Sequence, residues 1–338
     1  MRDLALNLAY HVSNCLMEIA TLGTTDIAVS ALCFGTGLIG SRIDESNSFA
    51  LFDLFRERGG TFVDTGNFFA AWLDNCQGGE SQTTLGRWMK DRGNRDDLII
   101  ATKLGFDYPG CAGGLSASEI ECECEKSLTR LQTDFLDLCY AHVHDKETPL
   151  EESMAAYDRL LQAGKVRAIG ASNLPIWRIE EANLLCQLNG WAGYNAIEQR
   201  YTYLRPRHGT RFGPQMWMND SVSEYAAARK LTLVGYSILL QGAYTRDDRS
   251  VPAQFAGSDS DERLAALRRV AVEVDASPNQ VIIAWMRQCD PPILPIIAGS
   301  QPQQVVGNLA ALEVQLSPEQ MARLNEAGNP NVENQWFR

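Results

Sequence analysis

Three ionisable side chains each lie where a short, largely apolar run of residues ends. Residues 61–63 end on Asp64, residues 98–102 on Lys103 and residues 135–141 on His142. A single charged residue at a strand end usually contacts solvent and has no further role. Three such residues at successive ends indicate a common site, because α/β proteins gather their chemistry at the carboxyl ends of parallel strands. His142 could exchange a proton near neutral pH, and Asp64 would keep Lys103 charged.

Strands and helices alternate along the chain in a way that brings these ends together. Short apolar segments followed by helical patterns recur eight times, starting at Leu32, and short Val/Ile/Leu-rich strands favour a parallel sheet. Eight units in about 300 residues predict an α/β fold of the (β/α)8 TIM barrel type. A doubly wound sheet is the alternative, but the chain lacks a GxGxxG fingerprint. Two β-like pieces within residues 18–30 predict a hairpin, and Ser317-Pro318 begins an extra C-terminal helix.

Composition limits the classes of protein that remain. The net charge of −12 argues against nucleic-acid binding, and the chain has no apolar run of membrane-spanning length. The nine cysteines have neither metal-ligand spacing nor a disulfide pattern, so we expect reduced thiols, no metal site and a cytoplasmic protein.

Residues 1–16 have no signal-peptide features. We interpret them as an N-terminal extension, either an alternative start or an added helix, before a single barrel domain at residues 17–338.

The residues at the three strand ends resemble those of the aldo-keto reductases. Members carry an aspartate in an F-x-D-T-A-x-x-Y stretch, a lysine in T-K and a histidine in D-L-Y-x-x-H, which Asp64, Lys103 and His142 match. The family's tyrosine protonates the carbonyl oxygen, and its position is occupied here by Phe69, which has no ionisable proton. Gly66 stands where the family has alanine. The resemblance spans residues 17 to about 327 and implies a hairpin that plugs the barrel.

The same resemblance implies a nicotinamide cofactor. Ser172, Asn173 and Gln199 would bind the carboxamide, and Tyr236 would stack on the ring, although Ser-Asn also suits a helix N-cap and Tyr236 an ordinary core position. NADP(H) is the family's usual cofactor. NAD(H) is the alternative, because residues 295–308 contain no basic side chain for a 2′-phosphate. The expected cofactor-binding residues are Gly35, Thr36, Ser172, Asn173, Gln199, Tyr236, Ser237, Leu239, Ser300, Gln304 and Asn308.

Loops after the predicted strands would shape the substrate pocket. We expect Trp72, Tyr108 and His144 to line it, and residues 202–219 to line or cover the mouth or to form a contact in a homo-oligomer. Trp336 and Phe337 would either cover the mouth or dock on the surface.

The predicted function is hydride transfer between a nicotinamide cofactor and an aldehyde, a ketone or a secondary alcohol, with His142 replacing the missing phenol. Phe69 leaves alternatives open. The barrel could catalyse dehydration or isomerisation, could be a reductase inactivated by a natural or engineered Tyr-to-Phe change, or could be a non-catalytic cofactor-binding subunit.

Overall fold

The computed structural model describes residues 17–329, so the predicted extension at residues 1–16 and the pair Trp336 and Phe337 lie outside the described residues. Within that range the strands are β1 (Ile19–Thr21), β2 (Ala28–Ser30), β3 (Cys33–Gly35), β4 (Phe62–Asp64), β5 (Ile99–Leu104), β6 (Leu136–Ala141), β7 (Val166–Ser172), β8 (Tyr194–Arg200), β9 (Thr232–Tyr236) and β10 (Ile293–Ile297). The helices are α1 (Glu45–Glu57), α2 (Glu80–Arg92), α3 (Ala117–Leu131), α4 (Leu150–Gln162), α5 (Ile176–Asn189), α6 (Asp220–Arg229), α7 (Ser258–Glu273), α8 (Pro278–Arg287), α9 (Pro302–Leu309) and α10 (Pro318–Glu326).

Strands β3 to β10 close into a barrel. Each strand pairs in parallel with its neighbour in sequence, and β10 returns to pair with β3 through Ile296 opposite Cys33. Helices follow the strands and cover the outside of the sheet. The predicted (β/α)8 architecture is therefore confirmed, and all eight carboxyl ends face the same rim.

The predicted hairpin lies at the opposite end of the barrel. β1 and β2 pair antiparallel, with Ile19 opposite Ser30. Leu22, Ile27 and Val29 pack into a buried cluster with inward-facing strand residues such as Phe62 and Leu138. The hairpin thus closes the amino-terminal end of the barrel with apolar side chains.

Helix boundaries follow local sequence signals. The Ser116 side chain accepts a hydrogen bond from the Glu119 backbone N–H and so caps the start of α3. Ser317 and Gln320 form a capping box at α10, where Pro318 occupies the first turn.

Helix α7 was missed by the sequence prediction, which placed nothing between β9 and α8. Six polar residues begin this helix, but Leu267, Val270 and Ala271 repeat at helical spacing and are buried. Its Arg263 is also buried and donates to the backbone carbonyls of Tyr203 and Ala327. Helix α7 therefore ties the segment after β8 to the C-terminal helix.

None of the helices between residues 17 and 329 combines the length and the apolarity needed to cross a membrane.

Candidate active site

A lysine with two carboxylates lies inside the barrel at its carboxyl end. Lys103 Nζ contacts Asp64 Oδ1, lies 3.2 Å from the Thr65 carbonyl oxygen and 3.3 Å from Glu198 Oε2. Relative exposures are 1% for Lys103, 3% for Asp64 and 2% for Glu198. The predicted Asp64–Lys103 pair is therefore present, and a third buried charged group from β8 joins it.

Burial and mutual charge set the protonation of this cluster. Burial opposes the ammonium form of Lys103, but the charges of Asp64 and Glu198 outweigh that cost and raise its pKa. Burial raises the pKa of Asp64, although Lys103 works in the opposite direction. Burial, together with the charge of Asp64, raises the pKa of Glu198 to about 8. Lys103 is thus held as an ammonium, and one neighbouring carboxyl tends to keep its proton.

His142 lies directly after β6 among aromatic side chains. Its ring is edge-on to Phe106 at 4.6 Å between centroids, and the ring of Phe69 lies 6.3 Å away. Its Nδ1 is buried and has no hydrogen-bond partner within residues 17–329. Burial, helped by the charge of Lys103, lowers the pKa of His142 well below its ordinary value. The imidazole is therefore neutral at physiological pH and can donate one hydrogen bond.

Phe69 faces both ionisable groups, Lys103 and His142. Lys103 Nζ lies 5.0 Å from the centroid of its ring, within cation–π range. A Cβ atom at Gly66 would approach Phe69 to 3.0 Å, so the glycine leaves room for this ring.

An aromatic wall stands on one side of His142. We use this name for Phe68, Phe69, Trp72 and Phe106, which come from the loops after β4 and β5. Phe68 packs on Phe106 at 5.1 Å and on Trp72 at 5.3 Å. Trp72 is 50% exposed, so its ring can contact a ligand from solvent.

Tyr108 and His144, the other two expected pocket residues, have partners away from this wall. The Tyr108 hydroxyl donates to Glu123 at 2.6 Å and lies 3.0 Å from Arg130, both on α3. Burial raises the pKa of Tyr108 to about 12. His144 packs against Trp177 of α5 at 5.4 Å. Their roles in a substrate pocket remain predictions.

The three residues expected to hold the carboxamide lie at or next to the ends of β7 and β8. The Asn173 side chain lies 3.2 Å from Ser172 Oγ, and its Oδ1 accepts hydrogen bonds from the Tyr236 hydroxyl and the Met216 backbone. Gln199 Nε2 donates to the Leu174 carbonyl, while its buried Oε1 has no partner among the described residues. A buried acceptor without a partner fits an amide N–H donor. We refer to Ser172, Asn173 and Gln199 as the amide cradle.

The long loop at residues 202–219 folds back onto the same region. Arg200 and Met218 bond through their backbones, and Met216 contacts Asn173 as described above. Phe212 and Trp217 stack on each other and pack against Phe255. The loop therefore borders the amide cradle and is anchored by aromatic packing, in agreement with a position at the mouth.

Gly35 and Thr36 lie at the end of β3. A Cβ atom at Gly35 would meet Ile296 at 2.6 Å, so the glycine permits close packing of β3 on β10. Thr36 is buried and donates to the Asp64 carbonyl at 2.9 Å. Ser237 is exposed with a φ of 58°, and Leu239 is half-buried two residues later.

The residues expected at the adenosine end lie in the loop after β10 and along α9. Gln304 Oε1 accepts a hydrogen bond from the Ser300 backbone at 2.7 Å, and both residues are exposed. Asn308 is buried and donates to the Ala298 carbonyl. Ser300 and Gln304 are accessible to a ligand, whereas the Asn308 amide holds the loop.

Glu198 and Tyr140 are site residues that sequence reasoning missed. Lys103 Nζ lies over the ring of Tyr140, 5.5 Å from the ring centroid. The Tyr140 hydroxyl is buried without a partner among the described residues. Strand alternation could have found both. Glu198 is two residues beyond the inward-facing Ala196, and Tyr140 is two beyond Leu138.

One group of possible metal ligands occurs within residues 17–329: Cys111, Glu119 and Glu123. Glu123 already accepts hydrogen bonds from Asn67, Tyr108 and Lys126. Its charge is compensated without an ion.

Residues 31–329 match the aldo/keto reductase family. The chain is 28% identical to norsolorinic acid reductase stcV of Emericella nidulans over 328 residues, covering 89% of this chain and 78% of that protein. It is also 28% identical to an aryl-alcohol dehydrogenase (NADP+) of Phanerodontia chrysosporium over 352 residues, covering 96% and 85%. Aldo-keto reductase ausK of Aspergillus calidoustus is 28% identical over 332 residues, covering 90% and 80%.

Proposed function

Since the chain belongs to the aldo/keto reductase family, we propose that it transfers hydride between a nicotinamide dinucleotide and the carbon of a carbonyl or secondary alcohol. The amide cradle is the observation that carries this proposal. Gln199 Oε1 is a buried acceptor without a partner among the described residues, and Gln199 directly follows Glu198, which pairs with Ser172 across β7 and β8. A carboxamide N–H would satisfy it. The bound cofactor would supply or accept the hydride.

The neutral His142 is the group that would orient the reacting oxygen. A neutral imidazole donates a hydrogen bond to a carbonyl oxygen without carrying a charge into an apolar pocket. Phe106 fixes the ring from one side, and Lys103 adds a positive charge nearby. Together these residues would stabilise the negative charge that develops on the oxygen as the carbonyl is reduced.

The aromatic wall favours substrates that carry an aromatic group. Phe68, Phe69, Trp72 and Phe106 offer ring faces and edges beside His142, and aromatic pairs gain about 0.5–1.5 kcal/mol beyond the burial of their area. The name of the aryl-alcohol dehydrogenase agrees with this class. We propose an aryl aldehyde, an aryl ketone or the corresponding alcohol.

NADP(H) is the proposed cofactor, and NAD(H) is the alternative. The name of the aryl-alcohol dehydrogenase specifies NADP+. Against this, residues 295–308 provide no basic side chain, and the polar contacts of Ser300 with Gln304 are neutral. A phosphate in this position would lack its strongest partner.

Phe69 gives specific support to a second function, a redox-neutral reaction in the same barrel. With a ring that cannot donate a proton beside Lys103, the site could use His142 and Lys103 for dehydration or isomerisation. A product formed without net consumption of the nicotinamide cofactor would favour this function over hydride transfer.

Fluorescence titration with NADPH and NADH tests the proposed cofactor site. We expect micromolar or tighter binding of at least one dinucleotide, and we expect Gln199→Met to weaken it about 3- to 10-fold, the equivalent of one hydrogen bond. Gln162→Met, an exposed position at the opposite end of the barrel, is the matched control. Absence of binding to the wild type, or unchanged binding by Gln199→Met, would contradict the proposal.

A further inference from the structure

The buried cluster at the barrel mouth contains one more carboxylate than the pair with Lys103 requires. Asp64 and Glu198 both lie against Lys103, from β4 and β8 on different sides of the barrel. With both carboxylates ionised, the cluster would carry a net charge of −1 in a region from which water is excluded. An uncompensated buried charge is costly, and a proton is the simplest way to remove it.

The contacts differ between the two carboxylates. Asp64 Oδ1 forms the close contact with Lys103, whereas Glu198 Oε2 is 3.3 Å away. A hydrogen bond between the two carboxyl groups raises the pKa of Glu198 and lowers that of Asp64. Asp64 is thus the direct ion-pair partner, and Glu198 is the group better suited to remain protonated. Burial raises the pKa of Glu198 in the same direction.

We propose that Glu198 holds the proton that carbonyl reduction consumes and delivers it to the substrate oxygen through Lys103. This role in turnover rests on the proposed hydride transfer, whereas the protonation of Glu198 does not. Because Glu198 would act through Lys103, it is a positioning residue that stores a proton and does not touch the substrate.

The proton balance of the step is simple. Reduction of a carbonyl by hydride leaves an alkoxide, which must gain one proton. The Lys103 ammonium breaks an N–H bond to protonate the alkoxide, and its amine then takes the proton from the Glu198 carboxyl. The Glu198 carboxylate regains a proton from water after product leaves. Lys103 Nζ lies 3.2 Å from the Thr65 carbonyl oxygen. If it exchanged this contact for one with the substrate oxygen, an N–H group would become available for the transfer.

Phe69 gives a reason for storing a proton on Glu198. The family's tyrosine would carry the proton next to the substrate, and Phe69 cannot. The described ionisable groups that influence Glu198 or respond to it electrostatically are Asp64 on β4, Lys103 on β5, Cys33 on β3, Tyr140 on β6 and Tyr236 on β9. Burial raises the pKa of Cys33, Tyr140 and Tyr236, so these three stay neutral and Lys103 is the only cation of the set.

Infrared spectroscopy of the cofactor-free protein tests the stored proton without turnover. At pH 6 we expect a protonated-carboxyl band that shifts on ¹³C-glutamate labelling and disappears as the pH rises through about 8. Glu198→Gln should lack the band. Tyr140→Phe, which removes a neighbouring buried hydroxyl, should retain it. A band that ignores glutamate labelling, persists in Glu198→Gln or is missing from the wild type would overturn the proposal.

Steady-state kinetics of aryl-aldehyde reduction tests whether Glu198 delivers the proton through Lys103. Glu198→Gln should lower kcat for reduction about 10²-fold, as expected for a lost acid, with little change in KM. It should also abolish the decline of kcat that we expect of the wild type above about pH 8. An unchanged kcat and pH profile would overturn the role of Glu198 in delivery. Lack of turnover by the wild type would instead refute the proposed function, and the infrared result would still decide where the proton resides.

Discussion

His142 combines a hydrogen-bonding role with a cost to stability at low pH. Burial against Phe106 and the charge of Lys103 both disfavour its imidazolium form. The neutral ring can donate a hydrogen bond, but the folded protein cannot readily take up a proton at this position. Function and stability therefore depend on the same ionisation at the scale of a single residue.

A pH-dependent loss of stability follows from that ionisation. The pKa of His142 in the folded chain lies below the ordinary value of 6.5, so the unfolded chain binds more protons as the pH falls through 6.5. The stabilising contribution is thus present above pH 6.5 and lost below it. At pH 5 the loss reaches up to about 2 kcal/mol, since each pH unit carries about 1.4 kcal/mol.

Urea unfolding of the wild type and His142→Gln at pH 7.5 and pH 5 measures this effect. The wild type should lose more unfolding free energy than the variant between the two conditions. Equal losses would show that His142 does not remain neutral in the folded state.

At the scale of elements, strand ends could be predicted better than loops. Asp64, Lys103 and His142 follow apolar strands, so both their type and their position were visible in the sequence. Glu198 was overlooked, although its alternation with Ala196 marks it as facing inward. The hydrogen bond between Met216 and Asn173 joins residues 43 apart in the chain. No local pattern encodes such a contact, because it depends on how the loop packs on the finished barrel.

The two loops that build the aromatic wall should determine substrate preference. Trp72 supplies the exposed part of that wall. We expect Trp72→Ala to raise KM for an aryl aldehyde about 3- to 10-fold, the loss of one aromatic pair with some apolar contact. A compact aliphatic aldehyde serves as the control and should show little change. An equal effect on both substrates would argue against an aromatic pocket at this position.

On the scale of the whole molecule, the apolar residues that stabilise one end of the barrel lie apart from the charged residues of the candidate active site. The hairpin and the apolar residues at the amino-terminal end form one buried cluster, and the charged cluster lies at the other end. The barrel architecture and its plug could be predicted from the eightfold alternation. Helix α7 could not be recognised with the same ease, because polar residues occupy most of its first turn and its buried face is narrow.

The hairpin should therefore affect folding and leave the active site unchanged. Leu22 is fully buried in the plug, and Leu22→Ala should lower the unfolding free energy by about 2–5 kcal/mol. Leu188→Ala, at an exposed position on α5, should change it by no more than about 0.5 kcal/mol. Denaturant unfolding measures both. A loss of cofactor affinity in folded Leu22→Ala would contradict the separation.

Deuteride transfer from a nicotinamide cofactor labelled at the reactive carbon to an aryl aldehyde tests the proposed chemistry most directly, with the wild type and Phe69→Tyr in parallel. We predict slow incorporation of deuterium into the alcohol product by the wild type. Phe69→Tyr should accelerate it about 10²- to 10⁴-fold, because a phenol would then lie beside Lys103 and His142. No incorporation by either protein, despite bound cofactor, would contradict hydride transfer by this barrel.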